Sequence, residues 1–344
     1  MRFATIRSAV LSLAALAVAG ISVPAVAAGP GDHRPRVVFD HDADFDDTAA
    51  LAALAAQDVA GLIDLVAVTV INNGAGLPGK AYQHTRCLLD RLGLADVPVA
   101  DATYDLPNAF PDWLRQAFDG LLDDAIGLCD AEPPRQSARE LLADVLTRAP
   151  GQVILIATGP VTNLAEAFAE VRRRHGWPAA FVVRAAYVQG GSIELTFDNS
   201  LLPPGFDGSQ AINTWVDPAA SETLIRSLGL KLRLVADATG DVPISLDYID
   251  RLAAEQRTPA TAYVVGMMNQ PLIQGGLAQA GGSVCCWWDP AGRDLGAPGL
   301  LRPDRVLSPA ANRGDPGRPA GGPHDHLAER PRDPGRSLRQ SPAV

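Results

Sequence analysis

Residues 36–56 read RVVFDHDADFDDTAALAALAA and combine an apolar run, a group of acids and an alanine-rich run. The acids are Asp40, Asp42, Asp44, Asp46 and Asp47. The apolar run predicts a buried strand and the alanine-rich run a helix, so the acids stand where a strand passes into a helix. Like charges this close repel one another, so the folded chain needs a bound cation or a chemical use for them.

Short apolar runs alternate with amphipathic stretches along a chain of 344 residues with 47% hydrophobic content. Six runs predict strands: RVVFD, LVAVTV, VPVA, QVILIAT, AAYVQGG and LKLRLVA. Five stretches predict helices: DDTAALAALAA, GKAYQHTRCLLDRLG, SARELLADVLTRA, NLAEAFAEVRRRHG and PAASETLIRSLG. Strands that are apolar throughout are typical of sheets covered on both faces. The pattern predicts an α/β fold with a mostly parallel central sheet flanked by helices.

Polar residues stand at the ends of three predicted strands, at Asp40, Asn73 and Thr158. In α/β sheets, ligands bind outside the carboxyl ends of the strands. We therefore expect these three residues to share one site.

The amino-terminal segment predicts export. Residues 1–28 begin with a basic stretch, continue with an apolar run and end in AVAA, which is typical of a secretory signal peptide. We expect a secreted, periplasmic or extracellular protein whose mature chain starts near Gly29. No later segment of the sequence is long and apolar enough for a membrane span, so no membrane association is expected after cleavage.

The composition changes after Asp289. Residues 291–344 are rich in Pro, Gly and Arg and show neither helix nor strand periodicity. We expect a disordered, irregular tail after one folded domain at residues 29–290. A second hypothesis is a shift of the coding frame close after Asp289, which resequencing of the gene would test.

Charge and cysteine spacing narrow the classes of function. The formal net charge of −10 argues against nucleic acid as a partner, because phosphate binding needs a basic surface. The four cysteines are Cys87, Cys129, Cys285 and Cys286, and their spacing fits no zinc pattern. A disulfide such as Cys87–Cys129 and buried free thiols both remain open.

Three interpretations of the acidic group compete. A helix–loop–helix calcium loop needs Gly and Glu where this sequence has Phe45 and Leu51, so we reject it. An aspartyl-phosphate hydrolase would use Asp40 as nucleophile and Asp42 as general acid, but it also needs a downstream Lys. After residue 80 the sequence offers only Lys231. We favour a divalent cation held by several carboxylates, because its charge offsets their repulsion, and we keep the phosphatase as an alternative.

The sequence resembles the inosine–uridine-preferring nucleoside hydrolase family in six motifs. VVFDHDADFDDTAAL resembles the family's D-x-D-x-x-x-D-D, and VILIATGPVTNLAEAF resembles its A-T-G-P-[LV]-T-N-[LI]-A segment. VAVTVINN, QGGSIE, AINTWVDPAA and WWDP resemble four further segments, and the motifs together cover about residues 36–290. The resemblance implies a Rossmann-like nucleoside hydrolase fold. It also implies cleavage of the N-glycosidic bond of a ribonucleoside, a small-molecule partner, to free base and ribose.

The resemblance further implies one Ca²⁺ at the bottom of a pocket. Its ligands would be Asp42, Asp47, the backbone carbonyl of Thr158, and Asp289. Asp42 would also be the catalytic base, taking a proton from water held by the ion. The substrate-binding residues would be Asp46, Asn73, Asn213 and Trp288. Asp40 would support Asp42 and the loop.

Several departures from the family pattern bear on activity. Ala43 and Asp44 replace a Pro-Gly pair, and Asp adopts positive φ less readily than Gly, which predicts a different loop. Ala211 replaces a Glu, Gln189 a Met, and Trp288 a His that protonates the leaving base in many members. A calcium-containing nucleoside- or sugar-binding protein without turnover is therefore an alternative, as is a chain inactivated by its carboxy-terminal segment.

The sequence also predicts the positions of three histidines and a role for one aromatic segment. His84 and His175 are expected at the surface, and strand alternation points His41 away from Asp42. Residues 104–118 are expected to form a pocket wall or a lid. Family members are commonly dimeric or tetrameric, so the resemblance allows a homo-oligomer.

Overall fold

The structure, a computed structural model, describes residues 34–127, 129–190, 211–235, 244–255, 257–279 and 283–284. All of them belong to one compact unit, Met1–Val306, and none belongs to the second unit, Leu307–Val344. The predicted signal peptide and carboxy-terminal tail lie outside the described residues, as do Trp288 and Asp289.

Six strands form the central sheet. They are β1 (Arg36–His41), β2 (Asp64–Ile71), β3 (Val99–Ala102), β4 (Val153–Ala157), β5 (Val183–Gln189) and β6 (Leu232–Val235). All pair in parallel, in the order β3-β2-β1-β4-β5-β6. The chain winds outward from β1 to β3 and then crosses over to β4, so the winding direction reverses between β1 and β4. Ligands of such sheets bind at that reversal, outside the carboxyl ends of the strands.

Helices cover both faces of the sheet. They are α1 (Phe45–Val59), α2 (Lys80–Arg91), α3 (Asp112–Ile126), α4 (Ala138–Arg148), α5 (Thr162–His175), α6 (Ala179–Val182), α7 (Ile212–Val216), α8 (Pro218–Leu228), α9 (Leu246–Ala254), α10 (Pro259–Met268) and α11 (Pro271–Gln279). A short antiparallel pair joins β7 (Ile244–Ser245) and β8 (Ser283–Val284). None of the described helices is both long enough and apolar enough to cross a membrane.

Strand β1 shows why the sheet is buried on both sides. Val37 and Phe39 pack into one apolar cluster, with α1, α2 and α3, while Val38 packs into a second cluster, with α4 and α5. Successive side chains of a strand point to opposite faces, so a strand between two cores must be apolar throughout. The predicted α/β fold with a parallel sheet is confirmed, with all six predicted strands and all five predicted helices in place.

Cys87 on α2 and Cys129, just beyond α3, form a disulfide, which decides between the two options that the sequence left open. The crosslink spans 42 residues of sequence and ties the chain just beyond α3 to α2. Closing a loop of this length restricts the unfolded chain and should stabilise the fold by about 4 kcal/mol in the chain-entropy description.

Replacing both Cys87 and Cys129 by Ser should therefore lower the free energy of unfolding by about 4 kcal/mol. Urea unfolding of the full chain under non-reducing conditions would measure the change. The double variant Cys285→Ser/Cys286→Ser is the matched control, because it removes two cysteines and keeps this disulfide. Equal unfolding midpoints for the Cys87/Cys129 variant and the unchanged chain would contradict the expectation.

Candidate active site

A cavity lies at the carboxyl ends of β1, β4 and β5. Its described lining consists of Asp42, Asp44, Asp46, Asp47, Phe110, Thr158, Gln189 and Asn213. The cavity sits at the reversal of winding, because its first acid follows β1 and its threonine follows β4. None of these eight described residues is basic, so four carboxylates share the cavity without a positive side chain among them.

Asp44, to which the sequence analysis gave no role, caps the amino terminus of α1. Its carboxylate accepts the Phe45 N–H at 2.6 Å, and Asp47 returns a bond by accepting the Asp44 N–H at 3.3 Å. Asp46 and Asp47 lie in the first helical turn, as predicted, where the helix dipole favours acids. An Asp three residues before another acid at a helix start is a capping-box signal that could have identified this role.

The loop between β1 and α1 closes around Asp47. Its Oδ2 accepts the Asp42 N–H at 3.0 Å as well as the Asp44 N–H, so one oxygen holds both ends of the loop. Between them, Ala43 has a φ of 63°, a left-handed conformation that residues with a side chain adopt at a cost. The sequence analysis placed this difficulty at Asp44, which is wrong, because Asp44 has a φ of −73°.

Asp42 is enclosed by backbone on two sides. Its Oδ2 accepts the Ala75 N–H at 3.1 Å, and its carbonyl accepts the Gly76 N–H at 2.6 Å. A Cβ added at Gly74 would lie 1.7 Å from Asp42 Oδ2, and one at Gly159 would lie 2.8 Å from the Asp42 Cβ. Both neighbours must therefore be glycine if the carboxylate is to keep this position.

Burial and mutual repulsion raise the pKa values of the cavity acids. Burial raises the pKa of Asp42 well above its ordinary value, and the Asp47 charge raises it further. Burial and the charges of Asp46 and Asp47 do the same to the pKa of Asp44. Burial, with the Asp47 charge, raises the pKa of Asp46 to about 7. The described lining of the cavity offers these carboxylates no basic side chain, and a hard divalent cation that binds oxygen ligands is the kind of ion that would supply positive charge.

Asp40 is buried, with 1% of its surface exposed. Its Oδ1 accepts the Thr69 hydroxyl at 2.6 Å and the Asn163 amide at 2.8 Å, which links β1 to β2 and α5. Burial raises its pKa to about 7. The other oxygen, Oδ2, finds no hydrogen-bond partner in the part of the chain that the structure describes. These contacts suit the supporting role that the sequence predicts for Asp40.

Thr158 and Asn213 meet in the cavity. The Asn213 amide donates to the Thr158 carbonyl at 2.7 Å, and the Thr158 N–H donates to the Asp40 carbonyl at 3.0 Å. The buried Thr158 hydroxyl has no hydrogen-bond partner within the described ranges. The structure thus brings together the predicted ligands Asp42, Asp47 and Thr158 with two predicted substrate-binding residues, Asp46 and Asn213.

Asn73 is not brought to this group. Its side-chain amide donates to the Tyr104 carbonyl at 2.7 Å and accepts the Tyr104 N–H at 2.8 Å, so both of its polar ends bond to backbone. The Tyr104 hydroxyl in turn donates to Asn163, whose amide bonds Asp40. Asn73 contributes to the site by fixing a neighbouring segment, and it does not belong to the described lining.

Residues 104–118 form a wall of the cavity. Phe110 lines the cavity while being only 3% exposed. Asn108 donates to a backbone carbonyl of α7 at 2.6 Å. Arg115 donates to two carbonyls of the loop that follows β2. These bonds tie the segment to both flanks, so of the two predicted roles, wall and lid, the geometry fits a wall.

A second group of possible metal ligands lies outside the cavity, at His84, Asp119 and Asp123, whose ligand atoms fall within 4.8 Å of one another. His84 is 1% exposed, so its predicted surface position is wrong, whereas His175 is exposed as predicted. The Lys80 ammonium lies 2.8 Å and 2.7 Å from the two carboxylates and offsets part of their charge. The described lining of the acidic cavity holds four carboxylates and no basic residue, so the cavity fits the predicted cation better.

The doubly wound parallel sheet defines an α/β protein, and its acid-lined cavity lies at the reversal, where such sheets bind their ligands. The family profile of the inosine-uridine preferring nucleoside hydrolases matches residues 37–291. The chain belongs to this family, and the resemblance seen in the sequence motifs is confirmed.

Known relatives agree with this membership. The pyrimidine-specific ribonucleoside hydrolase RihA of Photobacterium profundum is 28% identical over 201 residues, which are 56% of this chain and 57% of that protein. The non-specific ribonucleoside hydrolase RihC of Salmonella enteritidis is 28% identical over 231 residues, 65% of this chain and 68% of that protein. The match with RihA thus spans little more than half of that relative's length.

A solved structure shares the fold. The inosine-uridine preferring nucleoside hydrolase of Bacillus anthracis superposes with a TM-score of 0.57 at 23% sequence identity. The superposition covers 69% of this chain and 77% of that one. At this identity the likeness speaks for the architecture alone.

Replacing Gly74 by Ala should displace the Asp42 carboxylate, because the new Cβ would occupy the position of Oδ2. We expect calorimetry with Ca²⁺, the cation that the sequence predicts, to show at least tenfold weaker binding, equivalent to about 1.4 kcal/mol. Gly120→Ala is the control, because a Cβ there meets nothing within 4 Å and Ala favours the helix. Unchanged Ca²⁺ affinity in the Gly74 variant would show that the Asp42 carboxylate position does not matter for the ion.

Proposed function

We propose that the chain is an exported, calcium-dependent ribonucleoside hydrolase that releases a free base and ribose. The observation that carries this proposal is the cavity with four carboxylates, located at the sheet reversal of a chain of this family. The names of the relatives RihA and RihC describe hydrolysis of ribonucleosides. Export is supported by the signal-like residues 1–28 and by the disulfide, which suits an oxidising compartment.

The oxygen donors of the cavity fit Ca²⁺. Asp42, Asp47 and the Thr158 carbonyl would hold the ion, with Asp289 as a further ligand. Calcium accepts six to eight carboxylate, carbonyl and water oxygens in flexible geometry, and a described lining with four carboxylates and no basic residue suits its charge. When bound, Ca²⁺ would orient the attacking water and lower its pKa.

Asp42 would take the proton of the attacking water. The Ala75 N–H on Oδ2 and the glycines on both sides restrict the rotation of its carboxylate, which keeps the base in one orientation. Without a cation, burial and the Asp47 charge raise the pKa of Asp42 and disfavour its ionised form. Proton transfer requires that ionised form, so a cation that favours ionisation would also favour the reaction.

The other cavity residues would act on the sugar. Breaking an N-glycosidic bond places positive charge on the ribose ring in an oxocarbenium-like transition state. The carboxylates of Asp44 and Asp46 face the same cavity and would stabilise that charge. Asp46 and Asn213 would bind ribose hydroxyls, and Phe110 would present an apolar surface to the ligand.

The phosphatase alternative loses support from two positions. Asp40, its nucleophile, is buried and accepts hydrogen bonds from Thr69 and Asn163. Lys231, its phosphate-binding residue, donates to the carbonyls of Ala180 and Val183. Val183 begins β5, so this ammonium lies at the amino end of the sheet, opposite the cavity.

A binding protein without turnover is the second candidate. Ala211, where the family has a Glu, stands directly before α7, which carries Asn213 into the cavity. A short apolar side chain there offers no hydrogen bond to a sugar. The same cavity could then hold Ca²⁺ and a nucleoside without completing the reaction.

Purified full-length protein with Ca²⁺ should release base and reducing sugar from inosine or uridine, and a chelator should abolish the release. Asp42→Asn keeps the size of the side chain and removes the base, so kcat should fall by about 10²–10⁴-fold. Chromatography of the free base and a reducing-sugar assay would measure both products.

Asp96→Asn provides the matched control, because Asp96 is an exposed loop residue and its replacement should leave kcat unchanged. Full activity in Asp42→Asn would show that another group is the base. Nucleoside binding by calorimetry without any release of base would favour the binding protein.

A further inference from the structure

We propose that His41 is a positioning residue for Asp42, because its imidazole accepts the Ala43 N–H, the one N–H of residues 42–44 that Asp47 does not accept. His41 stands between two cavity acids in the sequence, yet it is fully buried and does not line the cavity. This inference depends on the proposed function where nucleoside turnover or Ca²⁺ affinity serves as a readout, and the tautomer of His41 is independent of it.

The three consecutive N–H groups of the loop have two different acceptors. Those of Asp42 and Asp44 donate to Asp47 Oδ2, at 3.0 Å and 3.3 Å. The N–H of Ala43 donates to His41 Nδ1 at 3.1 Å. The loop is therefore held by two neighbouring acceptors, a carboxylate oxygen and an imidazole nitrogen.

The hydrogen bond to His41 acts at Ala43, the residue of the loop with a left-handed backbone. A φ of 63° is disfavoured for any residue with a Cβ, and a buried N–H without an acceptor would add a second penalty. The bond to His41 Nδ1 satisfies that N–H and stabilises the left-handed conformation. A change in the Ala43 backbone would rotate its neighbour Asp42 away from the cavity.

Hydrogen bonds define both the orientation and the proton position of the ring. Nδ1 accepts from Ala43, so it carries no proton, and the proton of the neutral ring stands on Nε2. Nε2 then donates to the Thr85 hydroxyl at 3.3 Å, and that hydroxyl donates to the Ala81 carbonyl at 2.8 Å. The ring also stacks on Phe39, with centroids 4.9 Å apart and planes inclined by 10°.

Histidine at position 41 suits the role of accepting the Ala43 N–H. His41 Nδ1 lies 3.9 Å from Asp47 Oδ2, so a carboxylate acceptor at residue 41 would add a charge beside an existing one. A neutral imidazole supplies an acceptor for Ala43 and a donor for Thr85 without adding negative charge. Helix α2 anchors the far side of the ring through Thr85, which couples the acidic loop to the apolar core.

Two substitutions separate the two nitrogens. In His41→Asn the amide oxygen can replace Nδ1 and keep the bond to Ala43, whereas in His41→Gln the longer amide reaches toward Thr85 instead. We expect His41→Gln to lose about tenfold or more in kcat/KM and in Ca²⁺ affinity, and His41→Asn to lose less. Adding Ala43→Gly to His41→Gln should restore part of the loss, because glycine adopts positive φ freely while the N–H of residue 43 still lacks its acceptor.

If the His41 side chain only filled space in the core, its variants would behave differently. The smaller Asn would then be at least as damaging as Gln, and Ala43→Gly would rescue neither variant; either result would overturn the proposal. His84→Gln is the control, since it removes another buried histidine that bonds to Asp123 and not to the acidic loop. It should keep the kcat/KM of the unchanged chain.

A readout without turnover separates this proposal from the proposed function. Side-chain ¹⁵N NMR of the full-length protein should show the His41 ring protonated at Nε2 only, with the signal assigned by its loss in His41→Asn. Protonation at Nδ1 would overturn the proposal even in an active enzyme. If no nucleoside is cleaved, the proposed function fails, while the tautomer still decides the role of His41.

Discussion

Four carboxylates share one cavity, and each of them accepts a backbone N–H. Asp42 accepts from Ala75, Asp44 from Phe45, Asp46 from Asp47, and Asp47 from both ends of the loop. Backbone N–H groups carry partial positive charge, so they reduce the repulsion among the acids without neutralising them. The acids are held in place and still lack a full counter-charge, which is the condition for binding a cation.

The surrounding structure presents those N–H groups. The β1–α1 loop turns through a left-handed Ala43, the first turn of α1 contributes N–H groups that have no acceptor within the helix, and the turn after β2 brings Ala75 against Asp42. The Arg115 side chain donates to carbonyls of that turn and so fixes it. Hydrogen bonds that run from Asp40 through Asn163 to Tyr104 fix the neighbouring segment. The sheet reversal places all of these groups at one edge.

Sequence patterns predicted the sheet and the acid cluster because both depend on local signals. Apolar runs revealed the strands, and the strand-to-helix position of the acids revealed the cavity. The role of Asn73 was not accessible, since its bonds join residues 31 apart and a polar residue after a strand fits many roles. His84 was misplaced because a histidine in an amphipathic helix gives no sign that carboxylates of α3 will bury it.

Gly74 and Gly159 flank Asp42 so closely that neither position has room for a side chain. Variation in ligand choice must therefore arise elsewhere in the cavity, at positions such as Phe110, Gln189 and Asn213. A change of selectivity, by evolution or in the laboratory, would have to keep the two glycines and alter the other lining residues. Libraries directed at those three positions would sample new ligands, whereas libraries directed at the two glycines would mostly yield chains in which the Asp42 carboxylate is displaced.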